Sequence, residues 1–169
     1  MNDIFIANNT SINFLDKIKD SINKCNKCLL SVSFIKKAGL VLFENNIEQA
    51  LKRGTEIKII TSTYQNFTDI ASLELFNNWQ LTYPNFECHL DIECFGDNGF
   101  HSKGYIFEYD DEYEVIIGST NITRYAILKN IEWAATKFVK TKDAENLSYN
   151  YILELDRKNS NDAVFYGCK

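Results

Sequence analysis

Short apolar runs alternate along this chain with segments of helical period, and that alternation restricts the fold more than any other feature. Cys28 to Ile35 reads CLLSVSFI and Glu56 to Thr63 reads EIKIITST. Both suit buried strands. Residues 10–26 place Ile12, Leu15, Ile18 and Ile22 at helical spacing with Thr10 as N-cap. Residues 38–53 predict a helix stopped by Gly54, and a third helix opens at Thr68 or Asp69 and runs to about Gln80. Pro84 and Asn85 lead into a strand from Phe86 to Ile92. The runs 101–109 and 113–119 flank the polar turn Asp110–Asp111–Glu112 and predict a β-hairpin. A short helix at 121–129, a strand at 131–139 and a last helix at roughly 143–157 complete the pattern. The expected fold is α/β: a mixed sheet flanked by helices on both faces, in a single domain spanning 1–169.

Composition narrows the class. Apolar residues are 45% of the 169, enough for a packed core. No apolar run reaches the length of a membrane span, and the start Met1-Asn-Asp-Ile-Phe5 has no signal-peptide character. The expected compartment is the cytoplasm. The net charge is −5, which excludes a general nucleic-acid coat, so phosphate binding must be confined to one site.

One strand carries unexpected groups. In Gly99-Phe-His-Ser-Lys-Gly-Tyr-Ile-Phe107, strand alternation puts His101, Lys103 and Tyr105 on one face. A lysine on a covered face is costly unless it meets an anion, either a carboxylate of the protein or a phosphate of a substrate. The next segment favours phosphate. Val115-Ile-Ile-Gly-Ser-Thr-Asn-Ile-Thr123 leaves a strand through Gly118, Ser119, Thr120 and Asn121 and enters a helix. A helix N-terminus offers unpaired N–H groups, Gly118 permits close backbone approach, and Ser119 and Asn121 add donors. Glu132, in Asn130-Ile-Glu-Trp133, is placed to hold one ring nitrogen of His101.

The set FHSKGYIF, IIGSTNIT and KNIEWAA resembles the phospholipase D superfamily. That family's pattern is His-x-Lys, an Asp five residues beyond the Lys, Gly-Ser-x-Asn and a downstream Glu. The wider run from SVSFIKKAGL through KIITSTYQNFTD to IEWAAT is similar to the phospholipase-D-like nuclease domain at the N-terminus of bacterial DEAD/DEAH-box helicases and to metal-independent restriction endonucleases. The resemblance covers roughly residues 10–140. The chain departs at the family's Asp position, which holds Glu108 and faces away from His101 and Lys103 by strand parity. The restriction-enzyme branch tolerates such a change.

The resemblance implies a DNA phosphodiesterase that uses neither cofactor nor metal. His101 would attack phosphorus, Lys103, Asn121 and Ser119 would neutralise the non-bridging oxygens, and Glu132 would orient His101. A second histidine must protonate the leaving oxygen. The chain holds two histidines but one His-x-Lys, since His89 is followed by Leu90 and Asp91. A two-fold dimer would supply the missing His101. A helicase domain in the same full-length chain is a further expected partner, and the ending Val164-Phe-Tyr-Gly-Cys-Lys169 fits a fragment.

Plainer readings stand beside these. Without the Gly-Ser-x-Asn segment and Glu132, His101 and Lys103 would be a solvated hairpin edge. A non-catalytic module that grips nucleic acid or docks a partner would keep the same phosphate pocket. Lipid hydrolysis has no amphipathic membrane helix behind it. Cys25 and Cys28 have CxxC spacing, and Cys88, His89 and Cys94 follow, but no second CxxC exists. Five cysteines fit reduced, buried thiols. Lys36, Lys37 and the loop Tyr64 to Phe67 follow strand ends, where they either meet nucleic-acid backbone or are simply solvated.

Overall fold

The computed structural model describes residues 4–7, 12–91 and 100–140. Among them the elements run β1 (Ile4–Ala7), α1 (Phe14–Lys24), β2 (Lys27–Val32), α2 (Lys37–Leu40), α3 (Glu44–Lys52), β3 (Glu56–Ser62), α4 (Ile70–Thr82), β4 (Phe86–Asp91), β5 (Lys103–Glu108), β6 (Glu112–Gly118), α5 (Arg124–Leu128) and β7 (Trp133–Lys140). The strands form one sheet in the order β1-β7-β6-β5-β2-β3-β4. β2, β3 and β4 are parallel, joined through helices, and the remaining pairs are antiparallel. The sheet is therefore mixed and carries helices, as the sequence predicts.

One face of the sheet holds the main core. Leu30, Ile59, Tyr105, Phe107 and Ile116 gather there with Phe14, Ile18 and Ile22 of α1, Leu40 of α2, Ile47 of α3, Phe76 and Trp79 of α4, and Ile127 of α5. The five described helices thus share that face. Leu29, Ile60 and Ile106 alternate to the other side and cluster with Phe100. The last predicted helix, roughly 143–157, lies outside the described residues, as does Thr10. No described helix is long and apolar enough to cross a membrane.

Local chemistry sets the boundaries. Asn13 caps α1, its side-chain oxygen accepting from Asp16 N at 2.9 Å. The single helix predicted over 38–53 is two, α2 and α3, broken at 41–43. Leu40, Phe43 and Ile47 all reach the core, and the turn between them brings both pieces down onto it. Gly54, at φ +94°, ends the second piece as expected. β1 has no counterpart in the sequence prediction; it is a four-residue edge strand against β7.

One buried network ties α1 to the sheet. Glu114, fully buried on β6, accepts from Ser21 Oγ at 2.7 Å, Tyr109 Oη at 3.0 Å and Thr136 Oγ1 at 2.9 Å, and it pairs with Lys17. A buried carboxylate with this many donors is satisfied and fixes the helix against the sheet.

Candidate active site

The site lies on one edge of the sheet because of strand direction. Lys103, the first residue of β5, sits opposite Val32, the last of β2. Gly118, the last of β6, sits opposite Ala134, near the start of β7. The carboxyl ends of β2, β3 and β6 therefore share an edge with the start of β5 and β7, the usual place for a site in a sheet of this kind. His101, Lys103, Ser119, Asn121 and Glu132 all belong to that edge.

Lys103 is the centre of the arrangement. Its ammonium donates to Ser33 Oγ at 3.3 Å and to the His101 carbonyl at 3.1 Å. It lies 3.2 and 3.3 Å from the two ring nitrogens of His101. It also sits over the Phe34 ring, 5.6 Å from the centroid. Burial pushes its pKa below the ordinary lysine value, and the charge of Glu132 partly restores it. Among the described residues no carboxylate is bonded to Lys103, so its buried charge is offset only at a distance by Glu132.

Glu132 accepts from Ser119 Oγ and, at 3.4 Å, from Asn130 Nδ2. Its bonds among the described residues thus go to Ser119 and Asn130 and not to the His101 ring that the sequence expected it to hold, while its link to Lys103 is electrostatic. Ser119 also donates its backbone N–H to the Trp133 carbonyl at 3.1 Å, tying the ends of β6 and β7 together. Tyr105, fully buried, donates from its hydroxyl to the Thr120 carbonyl at 2.6 Å and so fixes the turn that presents Asn121. Burial pushes the Tyr105 pKa up, so the phenol keeps that proton. Asn121 is half-buried, and its side-chain oxygen is buried without a hydrogen-bond partner among the described residues.

Two details of the expected site differ. α5 begins at Arg124 behind the N-cap Thr123, because Ile122 still bridges to Ile35 in extended conformation. Ser119 and Asn121 therefore stand in the turn before the helix, and the anion would meet their side chains rather than a helix terminus. Gly118 is required by its neighbour strand: a Cβ there would lie 2.4 Å from the Trp133 carbonyl oxygen and 2.6 Å from Ala134 Cβ. Its close approach is to β7.

Other candidates separate clearly. Glu108 ends β5 opposite Lys27 and Tyr113, at the far edge of the sheet and on the other face from Lys103. Lys37 pairs with Glu44 at 3.0 Å, which gives it a structural role. Cys25 and Cys28 are buried side by side; burial raises the Cys28 pKa well above the ordinary value, and the bond from Cys28 lowers that of Cys25. Burial also pushes the Cys88 thiol up to about 12. His89 alternates to the opposite face from Cys88 and meets Glu87 at 3.3 Å, so these groups do not converge. Cys94 lies outside the described residues. Ser33 and Phe34 are site neighbours absent from the sequence candidates. The rule that sites gather at strand ends could have found them, since both follow β2 directly.

A mixed sheet with His-x-Lys, Gly-Ser-x-Asn and Glu on one edge defines an α/β protein of phospholipase-D-like architecture. Residues 18–151 match the family model described as cardiolipin synthase, PLD-like domain, and the chain belongs to this phospholipase-D-like family. No protein of curated function matches it. Its fold is similar to Nuc, a phospholipase D family member from Salmonella typhimurium, with TM-score 0.69 and 21% identity over 99% of both chains. NucT from Helicobacter pylori superposes with TM-score 0.67 and 16% identity over 96% of this chain and 98% of that one. Yeast tyrosyl-DNA phosphodiesterase shares the fold at TM-score 0.53 and 15% identity, over 98% of this chain and 42% of the enzyme.

Proposed function

We propose that the protein is a metal-independent phosphodiesterase acting on DNA through a phosphohistidine intermediate. The observation that carries this is the packing of His101 against the desolvated ammonium of Lys103 at the edge shared with Ser119, Asn121 and Glu132. In the proposed reaction a ring nitrogen of His101 attacks phosphorus, the phosphorus–oxygen bond to the leaving strand breaks, and a second histidine protonates that oxygen. Water then attacks the phosphohistidine, gives its proton to the second histidine and releases the phosphate end. Lys103 and Asn121 hold the non-bridging oxygens, which supplies the charge neutralisation that a metal would otherwise provide. Glu132 supports the charge on Lys103 and, in the assembled dimer, orients a His101 ring. The second histidine is the His101 of another copy, making the active form a two-fold dimer. The similarity to Nuc and NucT and to a tyrosyl-DNA phosphodiesterase supports a DNA substrate, and the resemblance to helicase-linked domains and restriction endonucleases supports a role in a helicase or restriction/repair system.

A test incubates the purified protein and its His101→Ala variant with DNA in EDTA. Cleavage by the wild type, reduced at least about 10³-fold in the variant, is expected. Equal activity in both, or none in either, counts against this chemistry. The single His-x-Lys also favours a second reading, a phosphate-gripping module without turnover. The solution mass separates the two: a strict monomer holds only half of the proposed site.

A further inference from the structure

A line of aromatic rings ends at His101. Tyr64 and Phe67 lie 6.0 Å apart between centroids, Phe67 and Phe34 5.0 Å, and Phe34 and His101 6.2 Å. None of the three aromatics belongs to either apolar cluster of the fold. Phe67 remains 39% exposed, and Phe34 and Tyr64 are half-buried. The loop that carries Tyr64 and Phe67 is held in place. Gln65 and Asn66 adopt left-handed φ values of +46° and +57°, a conformation that asparagine tolerates but that costs about 1 kcal/mol or more at Gln65. Phe67 N donates to the Tyr64 carbonyl at 2.9 Å, Asn66 N to the Thr63 carbonyl at 2.9 Å, and Gln65 Nε2 to Tyr64 Oη at 3.1 Å. A strained, bonded loop that displays two rings to solvent is built for something other than packing.

The position says what the rings meet. A base hangs from the sugar next to its phosphate, so rings one side chain from Lys103 lie where a neighbouring base falls. With a net charge of −5 the chain cannot rely on spread positive charge to hold a strand, and stacking supplies affinity that does not depend on charge. Paired bases keep their faces inside the duplex; only an unpaired base offers one. Resting on the reading of the site as a DNA phosphodiesterase, we propose that Phe67, with Tyr64 and Phe34, is a stacking platform for an unpaired base beside the phosphate at His101, and that the strand is single where it is cut.

The test is a cycle between ring and base. Binding is read by fluorescence anisotropy in the His101→Asn background, with labelled oligothymidylate and an abasic strand of equal length and phosphate count. Oligothymidylate binds about 5- to 150-fold tighter than the abasic strand. Phe67→Ala removes most of that difference while leaving abasic binding unchanged, and Phe67→Trp keeps it. An unlabelled blunt duplex competes at least about tenfold less well than the single strand. Equal binding of the two strands, an equal loss on both from Phe67→Ala, or equal competition by duplex each overturns the platform. Because binding is read without turnover, the two ideas fail separately. Absence of cleavage with the cycle intact removes the chemistry, and cleavage without base preference removes the platform.

Discussion

Lys17 and Glu114 meet beneath the sheet, while Lys103 and Glu132 stand at its edge, and the two arrangements are built in opposite ways. Glu114 is fully buried and takes bonds from Ser21, Tyr109 and Thr136 besides its lysine. Nothing is left for a ligand. At the edge the lysine and the carboxylate are held apart: Glu132 is bonded to Ser119, and Lys103 to Ser33 and His101. Burial disfavours the charge on Lys103, and among the described residues no bonded anion offsets it. A saturated pair contributes order to the fold. An unsaturated cation costs the fold something, and in the proposed reaction it takes the phosphate.

Changes on the two sides should therefore have opposite signatures. Lys103→Met should lower DNA cleavage about 10²- to 10³-fold, while its melting temperature at neutral pH equals or exceeds that of the wild type. The sign follows from the lowered pKa. Folding disfavours protonated Lys103, so the penalty is present while the amine is charged in the fold. It fades as pH rises through the lowered value towards the ordinary lysine value, and the stability gap between variant and wild type should close over that range. A melting temperature well below wild type would mean the edge lysine is structural after all.

Glu114→Ala should do the reverse, costing about 3 kcal/mol in urea unfolding, the low end for a broken buried pair because Lys17 keeps 16% exposure. Activity should fall only in proportion to the folded fraction. Replacing both partners, Lys17→Met with Glu114→Leu, should recover much of the loss. A double variant no better than the single one would mean the hydrogen bonds outweigh the ion pair.

Asp69 offers a smaller effect of the same structural kind. It caps α4 through Ser72 N at 3.0 Å and also accepts from Lys37 N at 3.0 Å, so it joins two helices. Burial pushes its carboxyl up, but the Ser72 hydroxyl and the N–H groups of Lys37 and Ser72 bring it below the ordinary aspartate value. Asp69→Ala should cost about 1–2 kcal/mol at neutral pH. The folded pKa is depressed, so this contribution is complete above the unfolded value and is lost as pH falls through the folded one. Unfolding curves of variant and wild type should converge there. Smallest of all, Glu108→Gln should change stability by no more than about 0.5 kcal/mol and leave cleavage unaffected, since Glu108 lies at the far end of β5. A large loss of cleavage would tie that end of the strand to the site.

Much of this was legible in the chain itself. The periods of its apolar runs are local consequences of backbone geometry, so β2 to β7 and the helices over them can be read within a few residues. Phe100-His-Ser-Lys103, Gly118-Ser-Thr-Asn121 and Glu132 mark the candidate site by type and order, and the structure brings them to one end of the sheet. Two signals misled in detail. The helical pattern over 38–53 did not reveal the break at 41–43, because the break serves packing and not propensity. The polar turn before Arg124 has the composition of a helix start, but Ile122 is paired to Ile35 and delays the helix.

What the sequence by itself determined is the alphabet of elements and the order of the candidate motifs, because both depend on neighbours a few residues apart. Only the tertiary structure decided which groups meet. Ser21 reaches Glu114 across 93 residues, Ser33 reaches Lys103 across 70, and Phe34 and Phe67 come together beside His101. Ser33 meets Lys103, and Phe34 meets His101, because β5 lies beside β2, while Phe34 meets Phe67 because β3 lies on the other side of β2; burial of apolar surface drives that choice of strand order. No local pattern encodes that choice.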